Sequence, residues 1–259
     1  MLAICTLSLG LLTIATPASF ATIHETGWLR LAHLSPNTPA VDVYLYPFGN
    51  PKAELVLHHV SYGTVSAYLP ANAGFYTVAM RLAGKSPSTP AVLSTAVRVR
   101  AGGAYTVAGM GPLSGLRLEV VPSQLAAPPG HVMVRVIQAS MAQHNVTVLA
   151  GSDVIGNGLD FTTVTPYQAI SGGTYTVRVS GDTGSTAQPV TLLAGSIHTL
   201  VILDGPSHLH IVDLVDAVGS SALPAGAPDT GPRLHVLIIR YGGIGFAQIL
   251  GYTLRMAHA

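Results

Sequence analysis

The sequence predicts an all-β chain built as two tandem immunoglobulin-like antiparallel β-sandwiches. Three observations predict it: an apolar period of two, Gly/Pro/Asn punctuation every few residues, and an internal repeat. The period is clearest from Trp28 to Leu45, WLRLAHLSPNTPAVDVYL, which is an alternating strand, a Pro/Asn turn and a second alternating strand. The repeat follows after His131. LRLAHLS (29–35) aligns with VRVIQAS (134–140), GFYTVAMR (74–81) with GTYTVRVS (173–180), VRVRAGGAYTVAGM (97–110) with VTLLAGSIHTLVIL (190–203), and LRLEVV (116–121) with LHIVDL (209–214). Four blocks in one order make two copies of one domain.

Composition narrows the class. Of 259 residues, 9% are charged and 49% hydrophobic, with 28 Gly and 18 Pro. An average globular protein is about 25% charged. Low charge with high hydrophobicity excludes a disordered chain, and a net charge of +1 offers no basic stripe for nucleic acid. A surface of Ser, Thr, Gly, Ala and Asn suits a cell envelope better than free solution. The single cysteine, Cys5, lies in the N-terminal apolar run, so a processed chain would hold no disulfide.

In chain order, residues 2–14 are apolar and of signal-peptide length. Ser19-Phe20-Ala21 places small side chains, Ser19 and Ala21, where signal peptidase needs them, so residues 1–21 are expected to be removed on export. No Lys or Arg precedes Arg30, which leaves the basic n-region missing and the true start codon open. Repeat one then spans 28–121. Leu29, Leu31 and His33 share one strand face; Trp28, Arg30, Ala32 and Leu34 share the other. Ser35-Pro36-Asn37-Thr38-Pro39 breaks the strand, and Val41, Val43 and Leu45 resume it. Further strand-like runs are 53–60, 64–69, 75–82, 92–100, 104–110 and 115–121. Residues 122–130, PSQLAAPPG, read as a semi-rigid linker, and repeat two spans 131–217.

SPNTPAVDVYL, followed by a YTV-type strand and an AGxxYTV block, resembles the domain of unknown function 4397, over roughly residues 28–217. The resemblance implies an exported, β-rich tandem module. That family has no assigned activity, so the resemblance supplies no catalytic residues.

The chemistry is sparse. There is no GxSxG, HExxH, P-loop or strand-to-helix GxGxxG. Among eleven histidines, His208 and His210 share a strand face with Asp213 behind them, whereas the adjacent pair His58 and His59 must point apart. Two converging ligands fall short of the three or four a metal needs, so no metal or other cofactor is expected. Ser35 and Asp42 frame the signature turn; a ligand contact at a loop tip and plain turn bonding both fit them, and Thr147 replacing Asp42 in repeat two favours the second. Tyr76, Tyr175, Phe75 and Thr174 read as strand packing, and Asn145-Val146-Thr147 as an incidental sequon.

The tail, 218–259, carries the last motif. Ala227-Pro228-Asp229-Thr230-Gly231 resembles the Leu-Pro-x-Thr-Gly sorting signal, followed by the apolar stretch Val236–Leu254 and Arg255. That layout suggests cell-wall or membrane attachment through 227–259. A Pro/Gly linker leading to a last buried strand or helix is the competing reading, supported by Arg240 and Gly242-Gly243. The expected function is a non-catalytic envelope module, a spacer or an adhesion domain for a glycan or protein ligand. The rival is a secreted hydrolase or metal-dependent enzyme that uses the histidines.

Overall fold

A computed structural model describes residues 26–53, 55–205, 208–219 and 223–226, together with the backbone of 234–241 and 247–254. The signal segment 1–21, with Ser19 and Ala21, and the motif Ala227–Gly231 lie outside the described residues.

Each repeat is an eight-stranded sandwich. The first comprises β1 (Thr26–Leu34), β2 (Val41–Pro47), β3 (Leu55–Val60), β4 (Leu69–Asn72), β5 (Gly74–Leu82), β6 (Leu93–Val99), β7 (Ala104–Met110) and β8 (Arg117–Ser123). Its two sheets have the orders β4-β1-β7-β8 and β3-β2-β5-β6. The second comprises β9 (His131–Gln138), β10 (Val146–Ala150), β11 (Asp153–Leu159), β12 (Gln168–Ser171), β13 (Gly173–Ser180), β14 (Ser185–Leu192), β15 (Ile197–Asp204) and β16 (Leu209–Ala217). Its orders, β12-β9-β15-β16 and β11-β10-β13-β14, repeat the first strand for strand. The tandem all-β architecture is therefore present, with three refinements. One pair in each sandwich is parallel: β1 with β7 and β9 with β15. The run expected as a strand over 64–69 reduces to an isolated bridge between Val65 and Ala32, with β4 beginning at Leu69. Finally, β8 runs into Pro122 and Ser123, which were expected to be linker. Pro122 is tolerated because β8 is an edge strand.

Alternation on β1 explains how the sandwiches stack. Leu29 and Leu31 enter the first core with Val43, Val78, Val97 and Val107. Ala32 and Leu34, on the opposite face, join a separate cluster with Ala108, Met110, Ile137 and Val201. The last two belong to the second sandwich. On β9, Val132, Val134 and Val136 likewise fill the second core while Ile137 and Ala139 face the first sandwich. The two inner sheets thus lie face to face, and the molecule is four sheets deep with three apolar layers. Inner strands buried on both faces read as near-continuous apolar runs, as β15 (IHTLVILD) does.

In the tail, two strands fall within or beside the apolar stretch Val236–Leu254. β17 (Leu234–Tyr241) and β18 (Ala247–Leu254) form an antiparallel pair with each other, a two-stranded sheet apart from the two sandwiches. Among the described residues no helix is long and apolar enough to cross a membrane.

Candidate functional site

The signature turn residues are structural. Ser35 Oγ donates to the Gly111 carbonyl (2.6 Å) and lies 2.6 Å from Thr38 Oγ1. Ser140 Oγ, its counterpart, donates to Asp204, whose other oxygen accepts from the Met141 amide. Asp42 Oδ1 accepts the His59 amide (2.8 Å) and Oδ2 the Gly84 amide (3.0 Å). Burial pushes this carboxyl up, but those amides and His58 outweigh it, so its pKa is lowered overall. His59 needs the support because it sits at φ +54, where the equivalent residue of repeat two is Gly158 at φ +63. Tyr76 and Tyr175 donate to the carbonyls of Asn72 and Ser171, four residues upstream in each case.

Among the described residues the histidines do not converge. His208 and His210 are exposed on one wall of an interdomain cleft of about 500 Å³, opposite Tyr62 and Thr64. Asp204 on the same wall is occupied by the loop at Ser140–Ala142. Among the described residues no group of three or more His, Cys, Asp or Glu could hold a metal. Asp213, placed behind His210 by sequence, instead bonds His198.

That contact belongs to an arrangement the sequence concealed. Ser196 Oγ lies 2.7 Å from His198 Nε2, and His198 Nδ1 lies 2.7 Å from Asp213 Oδ1. The connectivity is that of a hydrolase triad. The setting differs: Ser196 is buried, and its hydroxyl also lies 2.6 Å from the Leu193 carbonyl in a tight turn. A hydroxyl donating to that carbonyl has no proton left for His198. In repeat one Gly103 and Tyr105 occupy the positions of Ser196 and His198.

A second hidden network fills the interface between the inner sheets. Arg30 and Arg135 occupy the same position in the two repeats, both 3% exposed. Arg30 Nε donates to Thr106 Oγ1 (3.1 Å) and Arg135 Nε to Thr199 Oγ1 (2.9 Å). Each guanidinium stacks on a tyrosine, Arg30 on Tyr68 at 4.5 Å and Arg135 on Tyr167 at 4.4 Å. The remaining donors then cross between repeats. Arg30 Nη2 pairs with Asp216 at 2.5 Å, and Arg135 reaches the Pro122 carbonyl and Ser123 Oγ at 2.8 and 3.2 Å. Asp216 also accepts from Tyr68, Tyr167 and Thr199. Burial, with the Asp216 charge second, raises the pKa of both tyrosines, so they remain neutral donors. Arg30 was visible in the repeat; its partner 186 residues away was not.

The family model for a domain of unknown function, DUF4397, matches residues 27–148 and 132–227. The chain belongs to this family. No curated protein matches it significantly. The first matched region of the DUF4397 chain spans the first sandwich, with the signature turn, and runs on through β9 into β10, and the second covers the second sandwich.

The outside of sheet β3-β2-β5-β6 packs against neither sandwich core and carries an aromatic strip. Tyr44 and Tyr46 stack there with centroids 6.1 Å apart, and the Arg81 guanidinium covers both. Phe48 and Phe75 follow, 84% and 55% exposed. The Phe48 amide bonds the Phe75 carbonyl, and Arg98 lies 5.4 Å from the Phe75 ring. Phase placed Tyr44 and Tyr46 opposite the core-facing valines, yet nothing in the sequence showed Phe75 and Arg98 beside them. The sequence reading of Phe75 as strand packing is corrected on this point, since its ring faces outward while Tyr76 enters the core.

Proposed function

We propose that the chain is a non-catalytic, exported module of the cell envelope that spaces and presents a binding face. The observation that carries the proposal is the buried Arg30–Asp216–Arg135 network. It joins the two sandwiches and uses their convergent polar groups for cohesion. A buried ionic network of this kind is poor chemistry for turnover and well suited to fixing one arrangement of domains. The apolar run 2–14 with Ser19 and Ala21 supports export, and the sequence after Ala227 supports attachment at the surface. The ligand belongs to the envelope, a glycan or a protein.

The Ser196–His198–Asp213 chain favours a second reading, a secreted serine hydrolase. A fluorophosphonate probe, which reacts only with an activated serine, separates the two. The expected result is an envelope-associated protein whose Ser196 stays unlabelled. Labelling at Ser196 that is abolished by His198→Ala would overturn the non-catalytic reading, and retention in the cytoplasm would overturn the envelope one.

A further inference from the structure

We infer that the outer face of the first sandwich is a docking platform for an acidic polysaccharide, a polymer of uronic-acid pyranoses. The inference rests on the reading of the chain as an envelope binding module and names the partner of that module.

Contrast between the repeats is the starting point. Both sandwiches have the same strands in the same order, so whatever the fold requires must be met in each. On the outer sheet, Phe75 pairs with Arg98 where the second repeat pairs Thr174 with Thr191. Tyr44, opposite Ala79, corresponds to Leu149 opposite Arg178, and Tyr46 to Gly151. The second sandwich closes without any aromatic there. The aromatic strip is therefore not a demand of the fold.

Its geometry suits a sugar chain. Alternate residues of a strand recur about every 7 Å on one face, so Tyr46 and Phe48 continue the row from Tyr44. Tyr44 is itself buried beneath Arg81, and the exposed part of the strip is Phe48 with Phe75 beside it on β5. Beside the strip, Thr77, Ala79, Ser94 and Ala96 are small and leave a shelf. Exposed contiguous aromatic surface marks an interaction site, and flat rings match the apolar face of a pyranose.

Charge selects the acidic class. Asp42 is the sheet's one acid among the described residues, buried and bonded to two amides. Arg98 and Arg100 are exposed, as is Lys52 at the end of the strip. Stacking on Phe75 holds the Arg98 guanidinium while leaving its fork of donors available for a carboxylate. The imbalance extends to the repeat: residues 26–123 hold seven Lys or Arg and three Asp or Glu, and residues 131–217 hold two and six. A glycerol-phosphate polymer would satisfy the arginines but offers no ring face to Tyr46 or Phe75. A carboxylated pyranose satisfies both.

The test measures retention of the full chain on immobilised polygalacturonate. Phe75→Thr and Arg98→Thr install the residues the second repeat already carries, so folding is preserved. Each is expected to weaken binding at least tenfold, while Thr174→Ala in the second repeat leaves it unchanged. Methyl-esterified galacturonan is expected to bind at least tenfold more weakly than the free acid. Unchanged binding in Phe75→Thr, equal binding of the ester, or preference for a glycerol-phosphate polymer would overturn the inference. So would self-association abolished by Phe75→Thr, which would make a second copy the occupant. A chain that fractionates with the envelope but ignores polygalacturonate defeats this inference alone. A chain that binds it yet stays in the cytoplasm defeats the envelope reading alone.

Discussion

His33 and Gln138 show one task solved by two side chains. His33 Nδ1 accepts the Ser35 amide (3.4 Å) and Nε2 donates to the Pro39 carbonyl (3.3 Å). Gln138 Oε1 accepts the Ser140 amide and its Nε2 donates to the Gln143 carbonyl. Only the histidine titrates. Burial lowers the pKa of His33 below its ordinary 6.5, against two weaker hydrogen-bond effects that raise it. The unfolded chain therefore takes up a proton that the folded chain resists. The stabilisation is complete above about pH 6.5 and is lost as pH falls through the folded pKa. Asp42, also lowered, acts in the same direction but in a more acidic window, below 3.8. His33→Gln is thus expected to preserve stability at neutral pH and to flatten its decline as pH falls below about 6.5. Urea midpoints of parent and variant across that range check this, and a parallel decline in both would refute it. The alignment of His33 with Gln138 was legible in the sequence, but that the two make equivalent bonds was not. A buried histidine and an exposed one look alike until the opposing sheet is known.

At the level of strands, alternation was readable and pairing was not. The period of two placed Arg30 opposite Leu29 and Leu31, and an arginine on the far face of a half-buried strand suggests solvent. Both faces of β1 are in fact buried, because a second inner sheet covers the far one. Likewise, Ser196 and His198 are two apart, but Asp213 reaches them only through the β15–β16 pairing. Long-range register is the information a local period lacks. The tail shows the opposite limit: its apolar length was clear, yet the pairing of its two strands, β17 with β18, was not. A lone two-stranded sheet is at best marginally stable in water, and this one pairs with neither sandwich. Ending the chain after Gly226 should therefore move the thermal midpoint by no more than about 2 °C, under roughly 1 kcal/mol for a protein of this size. A larger drop in calorimetry would mean the hairpin packs on a sandwich.

Considered whole, the molecule carries its own pseudo-twofold axis. Arg30 reaches from the first repeat to Asp216, and Arg135 reaches back to Pro122 and Ser123. An interface in which each half offers the same patch to the other is the geometry of a symmetric dimer. Among the partners of the two arginines the symmetry is broken where Ser123 stands on one side and Asp216 on the other. Two first repeats brought together would bury two arginines with no acid between them; two second repeats would bury two of each. Only the mixed pair has the complement seen, and the opposite net charges of the halves favour it further. The linker at 124–130 then supplies proximity, with Leu125 packed against Trp28 and Tyr68. Cut there and produced as two separate polypeptides, the halves should recognise each other and not themselves, forming a one-to-one complex in analytical ultracentrifugation. Asp216→Asn should abolish the preference, since it leaves Arg30 buried without a counter-charge. What is now one gene product would behave as an obligate couple, and the chain joining its members as a tether that outlived the need for it.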